Sequence, residues 1–254
     1  MLLHAHRYGD GPPFIILHGL LGSGENWRSL SRQFGARFSV VALDLRNHGH
    51  SPHTDEMSYE TMAGDVEAFM DAEGIDEAFV MGHSLGGKVA MQLALTQSER
   101  VSKLIVVDMS PRGYRGAHIP IFDALDGLDL STTTSRKIAG ERLKAGLPDT
   151  GVRQFLLKNL ALDPDTKRYT WRPNLAGLRA AYPDLIVELD PRLRYDGPVL
   201  FVRGTKSPYI TDADWPRITD QFPEAELVSL DAGHWVHAEV PGAFADAVTN
   251  WLRT

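Results

Sequence analysis

One stretch of the chain holds a nucleophile in a setting that would activate it. Gly82-His83-Ser84-Leu85-Gly86-Gly87 follows the apolar run Ala78-Phe79-Val80-Met81 and leads into Lys88-Val89-Ala90-Met91-Gln92-Leu93-Ala94-Leu95, a good helix former. A serine between strand and helix, with glycine two residues to either side, fits a sharp turn that lifts a hydroxyl clear of a sheet. Side chains at Gly82 and Gly86 would collide with the flanking strand and helix. The turn also sets the hydroxyl at a helix N-terminus, where backbone N–H groups face developing negative charge. A capping serine in a Gly-rich phosphate loop is the rival reading, but the run lacks the Gly-Lys-Ser/Thr ending of a nucleotide loop. The chemistry would be attack on a carbonyl, with an acyl group held on the serine.

That attack needs donors for an oxyanion. His18-Gly19-Leu20-Leu21-Gly22 follows another apolar run, Phe14-Ile15-Ile16-Leu17. The backbone N–H groups of Leu20 and Leu85 are the expected pair, with His18 holding the loop. The base must come from ten histidines. Asp231-Ala232-Gly233-His234-Trp235-Val236-His237 lies between the last expected strand and the last helix. A loop there sits at the carboxyl end of the sheet, as the nucleophile turn does, and His234 is the expected base. His237 fits a structural place at the border of the insertion. His48, His50 and His53 come too early in the chain, and His83 reads as a packing residue.

A base needs a carboxylate to fix its tautomer and stabilise the imidazolium. Where such an acid commonly follows the strand Pro198–Val202, about three residues beyond Gly204, the chain has Ser207. A neutral hydroxyl cannot supply the charge. Asp108 ends the strand Lys103–Val107, and neighbouring strands lie about 5 Å apart, so it could reach the histidine from one strand over. Asp212 and Asp214 are the alternatives, while Asp231 is too close to His234 along the chain.

These residues need a scaffold. Phe14–Leu17, Phe38–Leu43, Ala78–Met81, Lys103–Val107, Pro198–Val202 and Glu226–Leu230 are short and apolar almost throughout, as strands of a parallel sheet covered on both faces should be. Leu2–Tyr8 would be an edge strand. Between them, Ser58 can cap a helix that carries Met62, Val66, Phe69 and Met70 on one face and stops at Gly74. A last helix starting at Pro241 buries Phe244, Val248, Trp251 and Leu252. Alternation of this kind implies an α/β fold with a doubly wound, mostly parallel sheet. It lapses between Asp108 and Pro198, where helical patterns (Val152, Phe155, Leu156 and Leu160; Leu175 and Leu178) appear without a convincing strand. A structureless loop of that length would be implausible, so residues 111–195 are expected to form an inserted helical cap, and residues 1–110 with 196–254 the core.

Composition narrows the function classes. The 254 residues are 43% hydrophobic, which suits one soluble domain with a large core. A net charge of −7 argues against nucleic acid or an anionic membrane as partner. With no cysteine, thiolate catalysis, thiolate metal sites and disulfides are excluded. The N-terminus lacks the apolar run of a secretory signal and no segment would insert stably in a bilayer, so the expected location is cytoplasmic.

Together the motifs resemble the α/β-hydrolase superfamily along nearly the whole chain. Asp44-Leu45-Arg46-Asn47-His48-Gly49-His50-Ser51, the Ser84 run with Lys88, Val107-Asp108-Met109-Ser110-Pro111, and Arg203-Gly204 through Ser207-Pro208-Tyr209-Ile210 are similar to YbfF-type acyl esterases and the abhydrolase domain-containing 11 proteins. The resemblance implies the α/β-hydrolase fold, a helical lid, an acid after the earlier strand, matching Asp108, and esterase or thioesterase activity on small to medium acyl esters. No metal or organic cofactor is called for. Ile119, Phe122, Leu125, Phe155 and Leu156 are candidate liners of an acyl slot, or else the lid's own core. Arg112 and Arg115 could meet an anionic head or stay solvated. A carbon–carbon bond hydrolase with the same triad and a non-catalytic binding protein are the alternative readings.

Overall fold

A computed structural model describes residues 1–253. The expected strands form: β1 (Ala5–Tyr8), β2 (Pro13–Leu17), β3 (Ser39–Leu43), β4 (Ala78–His83) and β5 (Val101–Val107) before the insertion. β6 (Leu160–Leu162) and β7 (Tyr169–Trp171) lie inside it, and β8 (Val199–Gly204) and β9 (Ala225–Leu230) follow. Seven strands make one sheet in the order β1-β3-β2-β4-β5-β8-β9, with only the edge pair β1–β3 antiparallel. Alternate residues feed two cores. Ile15, Leu17, Val80, Leu104 and Val106 pack in one, and Phe14, Ile16, Met81, Ile105 and Val107 in the other. Both faces are covered, so the strands could stay apolar along their whole length.

The helices are α1 (Arg28–Phe34), α2 (Tyr59–Ala72) and α3 (Leu85–Thr96) in the first half. The insertion carries α4 (Ile119–Asp126), α5 (Arg136–Leu143), α6 (Thr150–Leu157) and α7 (Leu175–Ala181), and α8 (Trp215–Gln221), α9 (Val236–Glu239) and α10 (Pro241–Leu252) close the chain. α2 starts where the hydroxyl of Ser58 accepts the N–H of Thr61, and it ends before Gly74, whose φ of 66° suits a residue without Cβ. Phe244, Val248, Trp251 and Leu252 of α10 are buried as their spacing requires.

The insertion departs from the all-helical reading, because β6 and β7 pair antiparallel. Three-residue strands are too short to show a period of two. Their turn is set by Asp163, whose carboxylate accepts the N–H groups of Asp165 and Thr166. Leu160 belongs to β6, so α6 stops earlier than its apolar spacing suggested.

The two roots of the insertion are stitched together. Tyr114 N–H donates to Ile186 O at 2.7 Å and Leu189 N–H to Pro111 O at 2.9 Å. Lys88, 1% exposed near the start of α3, donates from Nζ to the carbonyls of Arg112, at 2.7 Å, and of Val187, one at each root. Its ammonium also faces the rings of Tyr59 and Tyr114. Burial pushes its pKa down to about 7. Lys88→Met would leave both carbonyls without this donor. The expected cost is about 2 kcal/mol, or a fall of roughly 4–8 °C in the thermal midpoint, read by calorimetry. An unchanged midpoint would mean that the roots hold without this side chain.

Candidate active site

Ser84 sits between β4 and α3 at φ 53°, ψ −118°, a conformation side chains rarely adopt. The glycines around it are needed sterically. A Cβ on Gly82 would stand 2.0 Å from Gly86 O, and one on Gly86 would stand 2.5 Å from Leu17 O. The elbow is tied to the next strand by Ser84 N–H donating to Val107 O at 3.1 Å. Strain gathers here. Of the five non-glycine residues at positive φ among the described residues, Leu21, Asn47, Ser84 and Asp108 all border this region, and Lys167 lies elsewhere. Such strain persists only where surrounding contacts over-determine the backbone.

The loop after β2 lies against the elbow, since a Cβ on Gly19 would come within 3.2 Å of Ser84 Cβ. Two buried histidines hold this region. His18 donates from Nδ1 to Gly19 O and accepts Leu45 N–H at Nε2. His48 donates from Nδ1 to Arg46 O and accepts Leu21 N–H at Nε2. Each ring therefore needs one bare nitrogen, which only the neutral form has. Burial lowers the pKa of both, that of His48 to about 3. The N–H groups of Leu20 and Leu85 donate to no protein group among the described residues, which leaves both free for a ligand oxygen.

Asp108 and His234 meet. His234 Nδ1 donates to Asp108 Oδ2 at 2.7 Å, and the carboxylate is fully buried. Asp108 Oδ1 accepts Gly204 N–H at 3.1 Å, and Oδ2 also accepts the hydroxyl of Ser207. The serine found where a carboxylate was sought thus supports the acid on the neighbouring strand. The alternatives are engaged elsewhere: Asp212 with Arg203 at 2.6 Å, Asp214 with Arg112 at 2.7 Å, and Asp231 with Lys206 at 2.9 Å. The second of these pairings also places the sequence's candidate anion-binding Arg112 in an ion pair, while Arg115 stays exposed at the edge of a cavity.

His83 does more than pack. Its Nε2 donates to His234 O at 2.9 Å, holding the backbone of the loop that carries His234. Tyr209 stacks on the His234 ring with centroids 4.0 Å apart. His237 stacks on Trp27 at 4.3 Å, in the structural place expected of it. Burial drives the His83 pKa well below its usual value and that of His237 to about 3.

Ser84 and His234 line one cavity of about 160 Å³, though no hydrogen bond joins them in this conformation. Catalytic contacts are often loose without substrate and tighten on binding. Ser84 also borders a second, smaller cavity of about 40 Å³ walled by Tyr59, Tyr114, Tyr182 and Tyr209. Among the expected liners, Phe155 and Leu156 face the larger cavity. Ile119, Phe122 and Leu125 do not, which corrects the sequence reading. Phe122 and Leu125 are buried in the insertion's own core, and Ile119 is exposed on the outer face of α4. His118 and Ile121 line the cavity instead. The helical period gives which residues share a face, not which face meets a site. Tyr209 and His118 also escaped the sequence reading, because an aromatic or a histidine in a loop carries no periodic signal.

Comparison with known proteins agrees with this architecture. The alpha/beta hydrolase fold family matches residues 12–241. The chain is 38% identical to the sn-1-specific diacylglycerol lipase ABHD11 of Mus musculus, over 95% of this chain and 81% of that one. It is 36% identical to esterase YbfF of Escherichia coli (strain K12), over 98% and 96% of the two chains. A solved structure described as a marine microorganism esterase superposes with a TM-score of 0.95 at 37% identity, covering 98% of each chain.

Proposed function

The chain belongs to the α/β-hydrolase family and is an ester hydrolase of that family, and on this premise we propose that it is a serine esterase acting through an acyl-enzyme on Ser84. The observation that carries the reading is the 2.7 Å bond from His234 Nδ1 to the buried carboxylate of Asp108. With Nδ1 donating, Nε2 is the ring nitrogen left to take the Ser84 proton as the hydroxyl attacks an ester carbonyl. The oxyanion rests on the N–H groups of Leu20 and Leu85. The alcohol departs with the proton returned by His234, and a water activated by the same ring releases the acid. Atoms and charge balance without a metal or organic cofactor.

The insertion, residues 111–195, acts as the lid. It contributes His118, Ile121, Val152, Phe155 and Leu156 to the larger cavity, opposite the core residues of the loop after β2. Cavities of about 160 and 40 Å³, both bordered by Ser84, suit a small to medium acyl ester, with the acyl and alcohol parts divided between them. A thioester would fit the same two spaces. The substrate is a small molecule, and among the described residues no helix is long and apolar enough to cross a membrane.

A fluorophosphonate probe tests this reading. It should form one adduct, mapped to the peptide carrying Ser84, and Ser84→Ala should abolish it. A panel of p-nitrophenyl esters of rising acyl length, with matched thioesters, should show turnover that falls once the acyl group outgrows the cavity. An adduct that persists in Ser84→Ala would end the assignment of the nucleophile.

A further inference from the structure

A second cluster of chemically capable side chains lies away from Ser84, where the edge strand meets the end of β3. In the β1–β3 pairing Ala5 stands opposite Leu43, and Asp44 N–H donates to His4 O at 2.9 Å, so His4 comes level with Asp44. His4 and His6 are two residues apart and share one face of the strand. His4 Nδ1 lies 3.0 Å from Asp44 Oδ2, and His6 Nε2 lies 3.5 Å from Asp44 Oδ1. One ligand atom from each of the three residues falls within 4.8 Å of the others. A simple histidine–carboxylate hydrogen bond accounts for His4. It does not account for His6, whose Nε2 is shielded from solvent and has no hydrogen-bond partner. Its contact with Asp44 Oδ1 is an ion-pair distance without a hydrogen bond, so the ring nitrogen is close to the carboxylate yet uncommitted to it.

We propose that His4, His6 and Asp44 form a binding site for a divalent transition metal of the zinc type. Two imidazoles and one carboxylate suit Zn²⁺ or Co²⁺, whereas Ca²⁺ and Mg²⁺ take sets made almost wholly of oxygen. The Asp44 carboxylate presents one oxygen to each histidine, so a metal between the rings would meet both oxygens. His6 and Asp44 border a cleft of about 780 Å³ that Glu25 and His50 also line, which gives an ion access from solvent. That cleft does not include Ser84, and the proposal does not rest on the esterase reading. The metal would be structural. Asp44 Oδ1 accepts Gly24 N–H at 2.7 Å and Oδ2 accepts His50 N–H at 2.8 Å. One ion would therefore fasten the edge strand to the segment after Gly22 and to the loop that carries His48.

The test uses the full chain without an affinity tag, stripped with a chelator and then titrated with ZnCl₂ or CoCl₂. One equivalent of Zn²⁺ should raise the thermal midpoint, by roughly 5–10 °C once free metal is about a hundredfold above its dissociation constant. Co²⁺ should give a visible absorption band of a nitrogen- and oxygen-ligated ion. His6→Ala and His4→Ala should each weaken binding at least tenfold, while their metal-free midpoints stay close to that of the parent. His4→Gln and His6→Gln serve should an alanine variant fail to fold. No shift in the parent chain would overturn the proposal, and so would a shift that survives in His4→Ala/His6→Ala, which would place the metal on other residues such as His234.

Discussion

Ser84→Ala is expected to lower kcat for an ester substrate by about 10⁶-fold, and Asp108→Asn by about 10⁴-fold. Loss of the nucleophile removes the acyl-enzyme path altogether and leaves only binding and oxyanion stabilisation. Asp108→Asn acts through the imidazole. A carboxylate takes the Nδ1 proton of His234 and leaves Nε2 bare, whereas an amide can donate to Nδ1 and turn the proton to the wrong nitrogen. KM should change little in either variant, since Asp108 lines neither cavity and Ser84→Ala removes only one hydroxyl from their walls. The same geometry yields a sharper test. Ser207 already donates to Asp108 Oδ2 from the turn after β8, so Asp108→Asn/Ser207→Asp places a carboxylate beside His234 from the neighbouring strand. The double variant should recover part of the lost kcat. Full activity in Asp108→Asn, with loss in Asp212→Asn, would transfer the acid to the residue that the structure pairs with Arg203.

The second large effect is on stability in mild acid. His48, His83 and His237 are all held far below the usual histidine pKa of about 6.5 by burial, His48 and His237 at about 3. The sign follows from proton counting. Between the folded values and 6.5 the unfolded chain binds protons that the folded chain excludes, so stability falls as pH falls. It is fully present above about pH 6.5 and is lost as pH drops toward the folded values. Three such groups alone give a slope of about 4 kcal/mol per pH unit near pH 5, and His18 and His118, also held low by burial, add to it. Against a total of about 5–15 kcal/mol for a typical domain, that slope alone should unfold the protein between about pH 4 and 5, where most carboxylates still carry their charge. Urea unfolding at pH 7, 6 and 5 would measure it, and His237→Phe should lower the slope by about 1.4 kcal/mol per pH unit. A stability curve flat from pH 6.5 to 5 would show that these rings take up protons without unfolding.

The sequence carried the sheet well because each strand is buried on both faces and bounded by turn residues. Phe14–Leu17 and Lys103–Val107 could hardly be read otherwise. The Ser84 elbow was legible for a steric reason, as it tolerates only glycine at positions 82 and 86 and so leaves a pattern in the chain, whereas His234 was read from its place between the last strand and the last helix. Asp108 could be reached from the sequence only by elimination, because nothing local distinguishes a buried acid from a turn cap, and its partners Gly204 and Ser207 come from the end of β8 and the turn after it. The insertion was the poorest part. Its hairpin of Leu160–Leu162 and Tyr169–Trp171 is shorter than any period. The apolar residues of α4 fitted both an acyl slot and the lid's own core, and Phe122 and Leu125 turn out to serve the second. The His83 bond to the backbone of His234 spans most of the chain and involves no side-chain pattern at all.

The stitching of Pro111 to Leu189 and Tyr114 to Ile186, with one lysine reaching both ends, makes the segment between them a drawstring bag closed at its neck. What lies inside the bag can be lengthened or rewritten at small cost, since each doubling of a flexible loop adds only about 0.6 kcal/mol to its closure. The neck keeps such changes from tugging on Asp108, which lies just upstream of it. A scaffold arranged in this way can exchange the contents of the bag alone, with the contacts among Asp108, Ser207 and His234 beneath left undisturbed.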